Sequence, residues 1–200
     1  LAELVRAGAI GDVRLIEAHF SYNMNGSQAN IRQRNDAAGG GIMDVGCYCM
    51  SMARLIAGAA TGRAFADPIT TSDGYRTQIA VKGYAHIGEQ SRVDEWASAV
   101  VTFPGDIIAN LTCGIQVRVD QALYVWGSTG HIVAPNPWFP GDERFGGDKG
   151  ARILIYRDGE PQPVEELVPG GKPLYTIEAD TVAAHLHDRQ APPPCMTWAD

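Results

Sequence analysis

The sequence predicts an α+β fold, an open, mostly antiparallel β-sheet with helices packed on one face. Three observations lead there. Between Ile79 and Tyr156 short β-rich runs alternate with turn residues, as in a chain that folds back on itself strand by strand. Two stretches outside that region repeat their apolar residues at helical spacing instead. The chain has 200 residues, 45% hydrophobic and 20% charged, enough for a domain that buries a core without disulfides or metals.

Residues 1 to 8 read as the end of a helix closed by Gly8, and Ala9-Ile10-Gly11-Asp12 as a turn. Val13 to Tyr22, with Val13, Leu15, Ile16, Ala18 and Phe20 apolar, predicts a strand, and polar Asn23 to Asp36 a loop. After Gly39-Gly40-Gly41, the residues Ile42, Val45, Met52, Leu55 and Ile56 predict a helix over Ile42 to Ala57, ended by Gly58. Residues 59 to 78 are rich in Gly, Thr, Asp and Pro and predict a surface loop with a short strand near Arg63 to Ala66.

Strands follow at Ile79 to Ile87, Trp96 to Phe103, Ile107 to Val117, Ala122 to Trp126, His131 to Val133 and Arg152 to Tyr156. Pro104-Gly105-Asp106 and Gly127-Ser128-Thr129-Gly130 carry the residues of hairpin turns. Pro135 to Gly150 holds three prolines and four glycines and reads as a surface loop. Tyr175 to Arg189 is helical again, with Ile177, Val182, Ala183 and Leu186 as its apolar stripe, and Pro192-Pro193-Pro194 stops it.

Sixteen basic against 23 acidic residues give a formal charge of −7, and the basic residues are scattered, which argues against a nucleic-acid partner. No uninterrupted apolar run approaches the ~20 residues that cross a bilayer, so no membrane association is expected. Cys47, Cys49, Cys113 and Cys195 are too few and too irregular for a disulfide scaffold. Cys47 and Cys49, two apart on a helix, point in different directions. Buried reduced thiols fit a cytoplasmic setting.

The stretch Gly39-Gly40-Gly41-Ile42-Met43-Asp44-Val45-Gly46-Cys47-Tyr48 is the most informative. Asp44 and Tyr48 are four apart and share one helical face, with Gly46 between them leaving room for a ligand. A carboxylate one turn from a phenol can orient a bound hydroxyl while the phenol exchanges a proton with it. The same spacing also suits an aspartate placed for the helix dipole and an ordinary half-buried tyrosine.

Other candidates are weaker. His185 and His187 diverge on their helix, unlike an i, i+4 zinc pair, and His19 and His86 sit in strands as structural residues. Trp138-Phe139 lines a pocket or a partner surface, or packs its loop on the sheet, and Arg32 and Arg34 read as a solvated loop pair. Asp142, Glu143 and Asp148 are interspersed with Arg144 and Lys149, so no metal site is expected. Neither GxGxxG nor a P-loop occurs in the chain.

Gly39 to Tyr48 resembles the GGG-x-x-x-D-x-G-x-[HY] signature of the Gfo/Idh/MocA oxidoreductases. Gly8-Ala9-Ile10-Gly11-Asp12-Val13, Val93-Asp94-Glu95, Phe103-Pro104-Gly105, Gly127 to Gly130 and Met196-Thr197-Trp198-Ala199-Asp200 resemble other family segments in the expected order. The resemblance implies an enzyme of two domains. Residues 1–12 would be the end of the nucleotide-binding domain and the crossover, and residues 13–200 the substrate-binding and oligomerisation domain without its final helix.

It further implies NAD or NADP held mainly by the other domain, a sugar or polyol substrate, and a homo-oligomer formed through the β-sheet. Tyr48 and Asp44 would be catalytic, Arg32 would contact substrate, and Gly40 and Gly41 would approach the cofactor. Tyrosine rather than histidine at position 48 is similar to the sugar and dihydrodiol dehydrogenase branch. The segment between Gly58 and Ile79 is longer than in most members and would reshape the substrate pocket. The expected function is thus an NAD(P)-dependent oxidoreductase domain, inactive alone. Its rival is a non-catalytic module of the same fold that binds a ligand or dimerises.

Overall fold

A computed structural model describes residues 1–25, 29–68, 70–72, 77–79, 81–140 and 150–196. After a short helix α1 (Ala2–Arg6), strand β1 (Val13–Ser21) enters the middle of the sheet, and helix α2 (Cys47–Ala60) crosses its face. Strands β2 (Thr70–Ser72) and β3 (Thr77–Ile79) form a separate two-stranded ribbon. The chain then resumes at the sheet's edge with β4 (Val81–Ile87), β5 (Asp94–Phe103) and β6 (Ile107–Gly114). It continues through β7 (Ala122–Gly127), β8 (Gly130–Pro135), β9 (Gly150–Arg157) and β10 (Val164–Pro169) to helix α3 (Leu174–Ala184).

The eight-stranded sheet has the order β10-β9-β8-β7-β1-β6-β5-β4. One meander, β4 to β6, works inward and lays β6 parallel to β1, with Ile16 opposite Ala109 and Phe20 opposite Cys113. The other, β7 to β10, works outward from the antiparallel β1–β7 pair. The predicted open sheet is therefore present, with one parallel pair at its centre.

Alternation along the strands decides which side is covered. Ile16, Ala18 and Phe20 of β1, Ala109, Leu111 and Cys113 of β6, and Val101, Val125, Ile132 and Ile155 are buried. Cys49, Ala53, Ile56 and Ala57 of α2 join the same core, the alanines letting the helix approach closely. The 26-residue stretch Asn35–Ala60 passes for a membrane span by length and mean hydropathy, yet its buried side is the centre of this core.

The other face stays open. A row of half-buried rings crosses it, His19 to Tyr124 to Trp126 to His131 to Tyr156, with the last two steps at 4.4 and 4.5 Å between centroids. Val100, Ile108 and Tyr84 are exposed beside them.

Several expectations need correction. The helix predicted from Ile42 begins with a wide π turn, Ile42–Gly46, before α2 proper, and it runs past Gly58 to Ala60. Arg63 to Ala66 is irregular rather than a strand, and β2 occupies part of the expected loop. The strand from Ile107 stops at Gly114, three residues short of Val117. β10, exposed along its whole length and carrying two glutamates and a terminal proline, has no alternating signal and no counterpart among the predicted strands. α3 ends at Ala184 and none of its residues is buried, so its expected apolar stripe packs into no core here. Asp142, Glu143 and Asp148 and Thr197 to Asp200 lie outside the described residues.

Candidate active site

The glycine run folds back onto the loop before it. Gly40 N donates to Arg32 O at 2.8 Å and Gly39 N to Arg34 O at 3.0 Å, and a Cβ on Gly39 would lie 2.4 Å from Arg32 O. This return brings Arg32, twelve residues away in sequence, onto Asp44. Its Nε donates to Asp44 Oδ1 at 2.5 Å, the Arg32 side chain 43% exposed and that of Asp44 16%. Arg34 instead pairs with Asp36 at the surface, so the two arginines part company.

Asp44's other oxygen, Oδ2, accepts a hydrogen bond from the Tyr22 hydroxyl. Tyr22 stands just beyond the end of β1, its N–H donating to Gly114 O at 3.0 Å. Burial raises its phenol far above the ordinary range, and the hydrogen bond to Asp44 and that residue's charge add to the shift. The sequence singled out neither Tyr22 nor its partner Phe20 as cleft residues. Their i, i+2 spacing on one strand was the signal that could have done so.

Asp44, Tyr48, Arg32, Tyr22, Phe20 and Trp138 line one cleft of about 490 Å³. The expected convergence of Asp44 and Tyr48 is therefore present, although Asp44 stands on the π turn and Tyr48 on α2. Tyr48 is 54% exposed, and among the described residues its hydroxyl makes no hydrogen bond. Burial raises its phenol, helped by Cys47, Glu178, Asp44 and Tyr175.

An aromatic wall faces this polar end. Trp138 stacks on Phe20 at 5.1 Å with 2° between planes, Phe139 meets Phe20 edge-on at 5.6 Å, and Tyr48 tilts against it at 5.7 Å. Trp138 Nε1 donates to His19 O at 2.7 Å, fixing the indole. Thus Trp138 and Phe139 do both things expected of them as alternatives: they pack on the sheet and line the cleft. Leu174, Tyr175 and Glu178 of α3 line the same cleft, a contribution the sequence did not show.

Gly46 does not leave room for a ligand. A Cβ there would lie 2.9 Å from Cys113 Sγ, so its open side is filled by the sheet. Gly40 and Gly41 are buried too, with Asp94 and Gly114 beside them. Asp94 Oδ2 accepts from Ile42 N at 2.6 Å and so holds the start of the π turn. Cys47 is exposed and Cys49 buried, pointing apart as expected, and all four cysteines are free thiols. His19 pairs with Asp120 and His86 stacks on Trp96, both structural contacts. Among the described residues no three His, Cys, Asp or Glu side chains converge as a metal site would require.

Comparison with known proteins shows what the chain is similar to. The sequence model described as GFO/IDH/MocA C-terminal domain matches residues 1–133. Trans-1,2-dihydrobenzene-1,2-diol dehydrogenase of Mus musculus is 26% identical over 151 residues, which are 74% of this chain and 39% of that protein. The dTDP-3,4-didehydro-2,6-dideoxy-alpha-D-glucose 3-reductase of Streptomyces violaceoruber is 29% identical over 140 residues, 69% of this chain and 35% of that protein. The chain thus spans little more than a third of these curated relatives.

Among solved structures, a 3-ketoreductase from Actinomadura kijaniata in complex with NADP and TDP-benzene is similar in fold, with TM-score 0.72 and 18% identity. The match covers 96% of this chain and 51% of that one. An aldose-aldose oxidoreductase from Caulobacter crescentus complexed with glycerol follows, with TM-score 0.69 and 21% identity, 96% of this chain and 50% of that one.

Proposed function

The chain belongs to the GFO/IDH/MocA family, and from that premise we propose that it is the substrate-binding C-terminal domain of an NAD(P)-dependent oxidoreductase acting on a sugar, polyol or related carbinol. One observation carries the reading: a held carboxylate, Asp44, and an open phenol, Tyr48, face the same cleft beneath an aromatic wall. The carboxylate can accept a substrate hydroxyl and orient it, and the wall offers a flat apolar surface to a ring.

The residues present fit the reacting end of a nicotinamide cofactor and not its pyrophosphate, because the cleft supplies a proton-transfer group while the chain holds no glycine-rich phosphate turn. When bound, the nicotinamide supplies the two-electron donor or acceptor. Within this chain, Tyr48 keeps its proton, since burial and its neighbours raise its phenol. It is thereby set to give that proton to the oxygen of a carbonyl being reduced to a carbinol. In the reverse direction the phenol must first lose its proton, which a positive charge brought from outside this chain would ease.

The relatives support this substrate class, since one acts on a cyclic diol and another on a nucleotide-linked sugar by their names. The same proposal includes a cytoplasmic setting, weak NAD(P) binding and no turnover by this chain alone, and a homo-oligomer through the open sheet face with its row of rings. The test is cofactor absorbance at 340 nm in the full-length polypeptide carrying this chain, with trans-1,2-dihydrobenzene-1,2-diol, glycerol and D-glucose as probes. Turnover of at least one supports the reading. No turnover of any, with no calorimetric binding, contradicts it.

A further inference from the structure

The cleft contains two tyrosines, and their surroundings differ. Tyr48 has an open hydroxyl. The hydroxyl of Tyr22 is committed to Asp44 Oδ2, while Arg32 Nε takes Oδ1. Resting on the function proposed above, we infer that Tyr22 is a positioning residue for Asp44, the second half of a two-sided clamp with Arg32, and that it does not exchange a proton with substrate.

Three features support the assignment. An ionised carboxylate offers about four acceptor positions, so one donor on each oxygen fixes the plane of the group and still leaves acceptor capacity for substrate hydroxyls. The donors reach Asp44 from separate elements: Tyr22 follows β1 and is tied to β6 through Gly114 O, whereas Arg32 sits on the loop held by Gly40 and Asn30. Rotation of the carboxylate would break both bonds together. Phe20 and Tyr22, two apart, both line the cleft, so the strand that supplies the aromatic wall also supplies the hydroxyl. The raised phenol of Tyr22 keeps it a donor throughout the neutral range.

The groups facing Tyr22 and Asp44 are Arg32 on the loop, Tyr48 on α2, and Tyr175 and Glu178 on α3. Glu178 makes no hydrogen bond to the clamp among the described residues. Among the described residues, the only cation on the clamp itself is Arg32.

The experiment is a double-mutant cycle in the full-length polypeptide carrying this chain, with trans-1,2-dihydrobenzene-1,2-diol and NADP+ as probes. Tyr22→Phe is expected to raise KM by about 10- to 100-fold, the range for a lost hydrogen bond to a charged group, and to leave in place the acidic limb of the kcat profile, the rise with pH that follows ionisation of the Tyr48 phenol. In an Asp44→Asn background the same change is expected to have less than a threefold effect. Tyr22→His, which retains an N–H donor, is expected to recover part of the loss. If Tyr22→Phe does not fold, Tyr22→His against Tyr22→Leu provides the comparison.

A readout that needs no turnover is the phenolic proton in the NMR spectrum. A downfield resonance lost in Tyr22→Phe and displaced in Asp44→Asn supports the clamp, and its absence from the wild-type spectrum overturns it. Effects of Tyr22→Phe and Asp44→Asn that simply multiply, or loss of the acidic limb in Tyr22→Phe, would also overturn it. Unchanged turnover in Tyr48→Phe would instead count against the proton-transfer reading while leaving the Tyr22–Asp44 coupling standing.

Discussion

The Asp94 carboxylate accepts a hydrogen bond from the backbone N–H of Ile42 at 2.6 Å, so a residue at the start of β5 holds the first turn that carries Asp44. Gly40 sits against the same carboxylate with φ +116, and a Cβ there would lie 2.1 Å from Oδ1. Both relationships hold the Gly39 to Tyr48 segment on the sheet.

Removing either should loosen that segment. Asp94→Ala leaves the Ile42 N–H without its acceptor and is expected to cost about 1 to 2 kcal/mol, as the loss of a helix cap does. Gly40→Ala meets both a backbone conformation that L-residues rarely adopt and an occupied space, and is expected to cost about 1 to 3 kcal/mol. Urea unfolding measures both. A change below about 0.5 kcal/mol in Gly40→Ala would show that the turn is not held as described.

Arg32 is well exposed, and its defined partner is Asp44. Arg32→Ala is therefore expected to leave stability within about 0.5 kcal/mol and to weaken substrate binding by about tenfold, through an Asp44 carboxylate free to turn. Steady-state kinetics checks this. An unchanged KM would remove Arg32 from the site.

The buried thiols set an alkaline limit. Burial, then the Asp94 charge, pushes Cys113 from 9.0 up to about 11, and burial pushes Cys49 in the same direction. A group whose folded pKa is raised contributes stability that is fully present below its unfolded value and is lost as pH rises through the folded value. Stability should therefore be full below pH 9 and fall between pH 9 and 11, by an amount of order 1 to 3 kcal/mol for Cys113. Urea titrations across that range measure it, and Cys113→Ala should flatten part of the slope. An equal slope in the variant would contradict the assignment.

The open face makes its own prediction. Tyr124, Trp126, His131 and Tyr156 form a row of rings on the side that α2 does not cover. If a second copy covers them, Trp126→Glu should shift sedimentation from oligomer to monomer at about micromolar concentration. A wild-type protein that is already monomeric there would exclude this interface.

Much of this architecture was legible because it is local. β1 and β5 to β9 announce themselves by alternation and by turn residues such as Pro104-Gly105-Asp106, and α2 by its apolar spacing. The Gly39 to Tyr48 segment marked Asp44 and Tyr48. What stayed hidden depends on contacts distant in sequence. The parallel β1–β6 pair is made by a crossover, and the stacking of Phe20 on Trp138 spans more than a hundred residues. Asp94 reaches Ile42 from another strand, and β10 has no buried face to impose a pattern. Gly46 misled for the same reason: a glycine signals close approach without saying whether the neighbour is a ligand or, as here, Cys113.

In the proposed reaction Tyr48 passes a proton to or from the reacting oxygen while Asp44 orients it. Its most direct test is kcat and KM for Tyr48→Phe in the full-length polypeptide, since phenylalanine keeps the ring against Phe20 and removes only the hydroxyl. A fall in kcat of about 10² to 10⁴ is expected, with KM changed by less than about threefold. A variant that retains kcat within about threefold of wild type would contradict it.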